Sequence, residues 1–364
     1  MLLKEIIAEL ERFAPLSLQE SYDNCGLLVG SPEMPVTGAL LTLDCTEAVI
    51  DEAVRKGCNL VIAHHPVIFG GLKKLTGANY VERTVISAIR QQVAIYAAHT
   101  NLDNVHLGVN HKIANKLGLV NQQILSPKKG LLKKLVTFAP ISHAEAVRQG
   151  LFNAGAGQIG NYSHCSFNLE GQGTFRGNEQ SRPFIGEPGK VSHENETRIE
   201  VVFEAYKQGD VLAGLRQMHP YEEIAYDLYS LDNQYQLVGS GMLGELPEAM
   251  PEIDFLKRLK DVFGTGCVKH TALRNKPVKK VAFCGGSGSF LLKDAISCKS
   301  DFYVSSDFKY HEFFDAEHKI VVADVGHFET EQFTPEIFSE VLSNKFANFA
   351  TYLSEIHTNP VHYF

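Results

Sequence analysis

Histidines and acidic residues follow three apolar segments of this sequence, at positions where they could bind divalent metal ions. The segments NLVIA, AIYAA and KIVVADVG are followed by HHP, HTNLD and HFETE, respectively. Imidazole nitrogens and carboxylate oxygens suit zinc, iron, manganese or nickel. The residues of interest are His64 and His65 in the first motif, His99 and Asp103 in the second, and His327 and Glu331 in the third.

The spacing within the second and third motifs adds to this interpretation. His99 and Asp103 are four residues apart, and so are His327 and Glu331. Residues with this separation lie on one side of a helical turn, so each pair could face one ion. A carboxylate can also bridge two ions about 3.5–4 Å apart, and such pairs activate water as a nucleophile. The alternative is that each histidine is a cap or core residue, but three similar segment ends favour a metal site.

The apolar segments are predicted to be strands that alternate with helices. In the N-terminal part, GALLTLD, NLVIA and VAIYAA are separated by TEAVIDEAVRKG and YVERTVISAIRQQ, which have helical periodicity. KKVAFC, DFYVSS and KIVVADVG continue this pattern in the C-terminal part. Such alternation predicts an α/β protein with largely parallel sheets. The carboxyl ends of parallel strands are where α/β proteins place their sites, so the three motifs should meet there.

The middle of the chain has a different order of predicted elements. From about residue 131 to 231 it reads strand, helix, strand, strand, helix, strand, which is the ferredoxin-like (βαββαβ) pattern. The flanking stretches SPKKG and GSGMLGELPEAMPE are interpreted as connectors. We therefore expect a first α/β lobe at 1–128, an inserted ferredoxin-like domain at 129–238 and a second α/β lobe at 239–364, the two lobes forming one dinuclear-metal module.

Composition narrows the class of protein. The 364 residues have a formal net charge of -8, which argues against a broad nucleic-acid-binding face. No apolar run has the length of a membrane span, and the N-terminal segment has the periodicity of an amphipathic helix rather than a signal peptide. The seven cysteines are widely spaced, without a C-x-x-C motif, so a disulfide framework or thiolate zinc site is not expected. These features predict a cytoplasmic protein.

Four motifs together resemble a known family. SYDNCGLLVG, HHP, HTNLD and HFETE occur in the order found in the NIF-three-like family, also called GTP cyclohydrolase 1 type 2 homologues. Longer members carry an insert similar to PII and CutA proteins, which fits the middle segment. Tyr22 stands where the family usually has Trp. The resemblance implies a dinuclear site whose ligands are His64, His65, Asp103, His327 and Glu331.

Other polar residues are expected to line that site or to support its ligands. His99 matches no family ligand, and Asp44 ends the strand GALLTLD at the same sheet edge. Asp307 and His311, in SSDFKYH, follow another strand and are also four residues apart. Glu329 lies two residues from His327 and is left out of the ligand set.

The family resemblance implies a metal-dependent hydrolase. Two divalent ions per chain, zinc being favoured over iron, manganese or nickel, would activate a water molecule that attacks a small-molecule substrate, such as a nucleotide like GTP. No catalytic residue is assigned beyond the ligands. The resemblance also implies a toroidal homohexamer. The alternative is a non-enzymatic regulatory or scaffold protein whose insert senses a small molecule.

Three further motifs carry less information. GSGMLG fits G-x-G-x-x-G but is followed by acids and prolines, so a dinucleotide site is not expected. The turn Gly285–Ser289 lies between a strand and a helix and could either hold an anion or be a tight turn. HPYEE, at 219–223, contains a histidine and two acids, and we interpret it as a turn or a trimer-forming surface.

Overall fold

The computed structural model describes residues 1–363 and divides the chain into two compact units. The first unit combines Met1–Pro127 with the segment that begins at Gln236, and the second unit is Lys128–Tyr235. The second unit is therefore inserted into the sequence of the first. The boundaries expected from the sequence, after residues 128 and 238, lie one and three residues beyond those of the structure.

Short strands and helices alternate along most of the chain. The strands are β1 Gly26–Val29, β2 Ala39–Thr42, β3 Leu60–Ala63, β4 Ala94–Ala97, β5 Val120–Lys129, β6 Leu132–Pro140, β7 Phe167–Phe175, β8 Ser192–Glu204, β9 Tyr226–Leu231, β10 Gln234–Met250, β11 Lys269–His270, β12 Val278–Ser287, β13 Phe302–Ser306, β14 Val321–Asp324 and β15 Thr351–Leu353. The α-helices are α1 Leu3–Phe13, α2 Glu47–Arg55, α3 Tyr80–Arg90, α4 Thr100–Asn104, α5 Val109–Lys116, α6 Ala144–Asn153, α7 Gln208–Met218, α8 Glu252–Phe263, α9 Leu292–Ser297, α10 His327–Glu331 and α11 Thr334–Lys345. Short 3₁₀ helices lie at Leu16–Leu18, Ala205–Lys207, Ser289–Leu291 and Tyr310–Ala316. Among residues 1–363, no helix combines the length and apolarity needed to cross a membrane.

The first sheet has the order β1-β4-β3-β2-β15. Its strands are parallel except β1, which is antiparallel to β4. Leu40, Val61 and Ile95 are fully buried in one core beneath helices α2 and α3. The last strand, β15, comes from the C-terminal part of the chain and pairs with β2. The two predicted lobes therefore share this sheet and belong to one compact unit.

The second sheet has the order β11-β14-β13-β12-β10-β5. Strands β12, β13 and β14 are parallel neighbours, while β10 is antiparallel to β12 and β11 is antiparallel to β14. The predicted connectors SPKKG and GSGMLGELPEAMPE instead lie largely within β5 and β10. The glycines of β10 reflect close packing, because a Cβ atom on Gly239 would lie 2.2 Å from the carbonyl oxygen of Ser126.

The Lys128–Tyr235 unit contains one antiparallel sheet with two helices. Its elements follow the order β6, α6, β7, β8, α7, β9, and the strands have the spatial order β7-β8-β6-β9. Every strand pair in this sheet is antiparallel. Leu135 of β6 and Val201 of β8 pack with Val147 and Leu151 of α6 and with Leu215 of α7, and all five are buried. This unit therefore has a hydrophobic core of its own.

Candidate metal centre

The three predicted motifs meet at the carboxyl ends of parallel strands. His64 and His65 follow β3, Asp103 lies in the short helix α4 after β4, and α10 begins at His327 shortly after β14. Three overlapping groups of side chains could each hold a metal ion, with ligand atoms within 4.8 Å of one another. The groups are His64, Asp103 and Glu331; His65, His327 and Glu331; and His64, His65 and His99.

Glu331 lies where the imidazole rings converge. Its Oε2 atom is 2.9 Å from Nε2 of His65 and 3.1 Å from Nε2 of His327. Nε2 of His64 is 3.8 Å from the same oxygen. The side chain of Glu331 is only 3% exposed, so these contacts form away from solvent. One carboxylate thus belongs to two of the three groups.

His64 and Asp103 leave two buried polar atoms without hydrogen-bond partners. Nδ1 of His64 donates to the carbonyl oxygen of Ala98 at 2.8 Å, so Nε2 carries the lone pair of the neutral ring. Nε2 of His64 and Oδ1 of Asp103 are 3.6 Å apart, and neither has a hydrogen-bond partner. Unsatisfied buried groups are costly, and a cation between two acceptor atoms would satisfy both. The donor set therefore fits a divalent metal.

Two aspartates bind the Nδ1 atoms of His65 and His327, on the side of each ring that faces away from Glu331. Oδ1 of Asp44 is 2.7 Å from Nδ1 of His65, and Oδ2 of Asp307 is 2.6 Å from Nδ1 of His327. Metal-binding histidines are commonly oriented in this way, because a carboxylate on one ring nitrogen fixes the ring and leaves the other nitrogen for the metal. The structure thus places Asp44 and Asp307 in contact with the predicted ligands.

His99 joins the cluster through an acid that the sequence did not single out. Nδ1 of His99 is 2.9 Å from Oδ1 of Asp23, whose side chain is fully buried. The backbone nitrogen and the hydroxyl of Thr100 both donate to the other oxygen of Asp23. Although burial opposes ionisation, the hydrogen bonds from His99 and Thr100 hold the pKa of Asp23 below its ordinary value. Asp23 lies in SYDNCGLLVG, so the only signal for it was that motif.

Two other residues considered from the sequence lie outside the three groups. His311 is exposed on a 3₁₀ helix, where its ring contacts those of Tyr310 and Phe314. Glu329 is buried and accepts a hydrogen bond from Nδ2 of Asn359 at 3.2 Å. The structure therefore does not bring His311 to the cluster, and Glu329 contacts the C-terminal segment.

The carboxylates around the cluster favour the protonated forms of His65 and His327. Burial alone would lower the pKa of His65, but Asp44 and Glu331 outweigh it and raise that pKa to about 10. Burial would likewise lower the pKa of His327, but Glu331 and Asp307 raise it to about 11. His64 has no such pairing, and burial lowers its pKa to about 4. Because metal ligands must be deprotonated, metal binding here would release protons.

The glycine-rich segment Gly285–Ser289, which overlaps the end of β12, makes room for Glu331. Gly286 has a φ of +63°, and a Cβ atom on it would lie 2.2 Å from Oε1 of Glu331. Its backbone nitrogen donates to Oγ1 of Thr330 at 2.9 Å, and that of Gly285 donates to Oδ1 of Asn110 at 3.0 Å. These two amides already donate hydrogen bonds within the protein, which favours a packing role for this segment over anion binding.

A cavity of about 430 Å³ lies beside the cluster. Its lining includes His65 and His327 and, from the C-terminal segment, Asn359–Val361 and Tyr363. Lys269 also lines it and pairs with the buried Asp324, at 2.6 Å between Nζ and Oδ2. The C-terminal segment also supports the cluster, because Oγ1 of Thr358 donates to Oδ2 of Asp44 at 2.6 Å. No motif in the sequence had indicated this contact between Thr358 and Asp44.

Comparison with known proteins identifies the family. The family model described as Duf34/NIF3 (NGG1p interacting factor 3) matches residues 1–360. A GTP cyclohydrolase 1 type 2 homolog from Halalkalibacterium halodurans is 38% identical over 360 residues, which is 98% of this chain and 97% of that protein. Its namesake in Bacillus subtilis is 37% identical over 363 residues, with the same coverage of 98% and 97%.

Solved structures agree with the sequence comparison. A Bacillus cereus protein related to NIF3 has a TM-score of 0.88 and 36% identity, covering 100% of this chain and 99% of that one. A Staphylococcus aureus protein has a TM-score of 0.80 and 29% identity, with the same coverage of 100% and 99%. The match over nearly the whole chain confirms the resemblance drawn from the four motifs, and the protein belongs to the Duf34/NIF3 family.

Proposed function

We propose that this protein is a divalent-metal-dependent hydrolase with a dinuclear site. The observation that carries the proposal is the pair of side-chain groups that share Glu331. His64 and Asp103 complete one group, and His65 and His327 complete the other. Nitrogen and oxygen donors of this kind suit zinc, with iron, manganese or nickel as alternatives. His99 lies against the first two histidines and is a further candidate ligand.

The ions would supply Lewis acidity and lower the pKa of a water molecule that acts as the nucleophile. The protein's own contribution is positioning. Asp44, Asp307 and Asp23 each hold the Nδ1 side of one histidine, which leaves each Nε2 nitrogen for binding. Metal sites whose ligands are fixed in this way lose little free energy to reorganisation when they act.

The substrate we propose is a small molecule such as a nucleotide. The cavity of about 430 Å³ beside the cluster has the size of a small-molecule site, and its lining includes the candidate ligands His65 and His327. The relatives from Halalkalibacterium halodurans and Bacillus subtilis are named GTP cyclohydrolase 1 type 2 homolog, so GTP is the first substrate to test.

A second candidate function is non-enzymatic. In this alternative the metal is structural or sensory, and the inserted unit binds a small molecule that regulates the protein. The favouring observation is a separate cavity within the Lys128–Tyr235 unit. We also propose that this unit is a ferredoxin-like domain of the PII and CutA type, that the protein forms a toroidal homohexamer and that it acts in the cytoplasm.

Metal content is the first experimental test. The purified protein should contain about two transition-metal ions per chain, measured by elemental analysis, as a dinuclear site requires. His65→Ala and Glu331→Ala should lose metal, whereas His193→Ala, at an exposed position of β8, should retain it. A wild-type protein that takes up no divalent metal after reconstitution would contradict the proposal.

Turnover is the second test and separates the two candidate functions. Metal-loaded protein should be incubated with GTP, other nucleotides and phosphoesters, and the products separated by chromatography. A hydrolase should turn over at least one of them, and Asp103→Ala should abolish that activity because it removes a central carboxylate. Turnover that survives in Asp103→Ala would point to a contaminant, and metal binding without turnover would favour the non-enzymatic function.

A further inference from the structure

A cavity of about 330 Å³ lies within the Lys128–Tyr235 unit, remote in sequence from the metal ligands. It lies between the loop that follows β7 and the HPYEE loop that precedes β9. We propose that this cavity binds a small organic ammonium ion, held by the carboxylate of Glu196 and by the rings of Phe175, Phe184 and Tyr221. This site is independent of the proposed hydrolase activity.

The buried carboxylate of Glu196 is the strongest reason for a cationic ligand. Glu196 is only 9% exposed, yet no lysine or arginine among residues 1–363 forms an ion pair with it. Its hydrogen-bond donor is the neutral hydroxyl of Tyr221, at 2.8 Å from Oε1. A buried charge without a charged partner is costly, so a cation in the cavity would supply the missing compensation.

Aromatic rings form the walls around this carboxylate. The ring centroid of Tyr221 is 6.1 Å from that of Phe175 and 6.4 Å from that of Phe184. Phe184 is 52% exposed, which leaves much of a large apolar ring without a protein partner. Rings attract cations that approach their faces, and quaternary ammonium groups are recognised by such aromatic cages. Rings with a carboxylate therefore suit an organic cation better than a neutral apolar ligand.

The HPYEE loop supports the cavity and does not form a metal site. Nε2 of His219 donates to the carbonyl oxygen of Phe138 at 2.9 Å, and Nδ1 accepts from the backbone nitrogen of Tyr221 at 3.1 Å. Both ring nitrogens are therefore occupied, and His219 is buried, so its role is to hold the loop that carries Tyr221. Within residues 1–363, the groups that could hold a metal ion all lie at the other site.

The charges of the cavity lining also favour a cation. Glu196, Glu222 and Glu223 contribute three carboxylates to the lining, against the single guanidinium of Arg176. The volume of about 330 Å³ is at the small end of the range for ligand sites, so the ligand should be compact. A quaternary ammonium such as choline matches the charge, the size and the apolar walls.

Calorimetric titration of the full-length protein tests this site. Choline and tetramethylammonium should bind saturably, with one site per chain. The neutral isostere 3,3-dimethyl-1-butanol, in which carbon replaces the charged nitrogen of choline, should bind at least about tenfold more weakly because it lacks the charge. Absence of saturable binding by either cation would overturn the proposal, and so would equal binding of the neutral alcohol.

Two variants and one matched control locate the binding. Glu196→Gln keeps the shape of the side chain and should weaken choline binding about tenfold or more. Phe184→Ala should weaken it about threefold to tenfold, and the exposure of this ring makes misfolding less of a concern. Glu170→Gln removes an exposed carboxylate from the neighbouring strand β7, outside the cavity, and should leave binding unchanged. Unchanged affinity in folded Glu196→Gln and Phe184→Ala would contradict the assignment.

Discussion

The substitution Gly286→Ala tests whether a glycine near the end of β12 is needed to make room for Glu331. A Cβ atom at this position would lie 2.2 Å from Oε1 of Glu331, whereas real Cβ contacts essentially never fall below 3.0 Å. The carboxylate must therefore move by at least about 0.8 Å, the difference between these two distances. Functional groups must be held within roughly 0.5 Å of their working geometry, so this displacement should disrupt metal binding.

The chain supplies a matched control in Gly264. Gly264 and Gly286 both have a φ of +63°, but a Cβ atom on Gly264 would have no neighbour within 4 Å. An alanine at either position should lower the free energy of unfolding by about 1–2 kcal/mol, because alanine disfavours the left-handed backbone conformation. Because only Gly286 lies against Glu331, the difference between the two variants isolates the displacement of the carboxylate.

Chelator competition and thermal unfolding measure the two effects separately. Gly286→Ala should bind zinc about 10- to 100-fold more weakly than Gly264→Ala, the range typical of changes that misplace a metal ligand. Thermal unfolding in the presence of EDTA measures the stability lost to the strained backbone alone, because bound metal no longer stabilises the folded protein. Equal zinc affinity in the two variants would refute the argument that Gly286 leaves space for a ligand.

Further predictions concern the supporting acids, the extra histidine and the core. Asp44→Ala should weaken metal binding about 10- to 100-fold in chelator competition, because it frees the ring of His65, and a change below twofold would contradict this role. His99→Ala should lower the metal content per chain while the exposed His311→Ala should not, and elemental analysis that finds the two alike would contradict the grouping. Leu40→Ala, at a fully buried position of β2, should lower the free energy of unfolding by about 2–5 kcal/mol in thermal denaturation. An equal loss from Leu353→Ala, whose side chain is 49% exposed, would show that burial does not set the cost.

Much of the fold could be predicted from the sequence because local residue patterns determine many of its strands and helices. Apolar segments such as Leu60–Ala63 are too short for helices and became buried parallel strands. Helix α2 begins after the N-cap Thr46, whose hydroxyl accepts from the backbone nitrogen of Val49, and ends before Gly57, which has a φ of +72°. These signals lie within a few residues of the elements that they determine, so one sequence is enough to detect them.

The errors arose where distant segments decide the structure. The glycines of GSGMLG predicted a connector, but the segment lies in β10, where Gly239 allows close approach to the backbone at Ser126. Strand β15 pairs with β2 of the first sheet, although they are some three hundred residues apart. Asp23 reaches His99 from 76 residues away, and Thr358 reaches Asp44 from 314 residues away. No local periodicity encodes such contacts.

In both HTNLD and HFETE the histidine and the acid are four residues apart, but only in HFETE do the two side chains belong to the same group. His327 is the first residue of α10 and Glu331 is the last, so the helical turn brings both to one group, with 3.1 Å between Nε2 and Oε2. His99 is the N-cap of α4, with φ and ψ of -115° and -110°, and so lies outside the helix that contains Asp103. The two residues consequently fall into different groups. A spacing of four residues implies a shared face only when both residues are helical. Helix α4 begins at Thr100, one residue after His99, so this condition is not met in HTNLD.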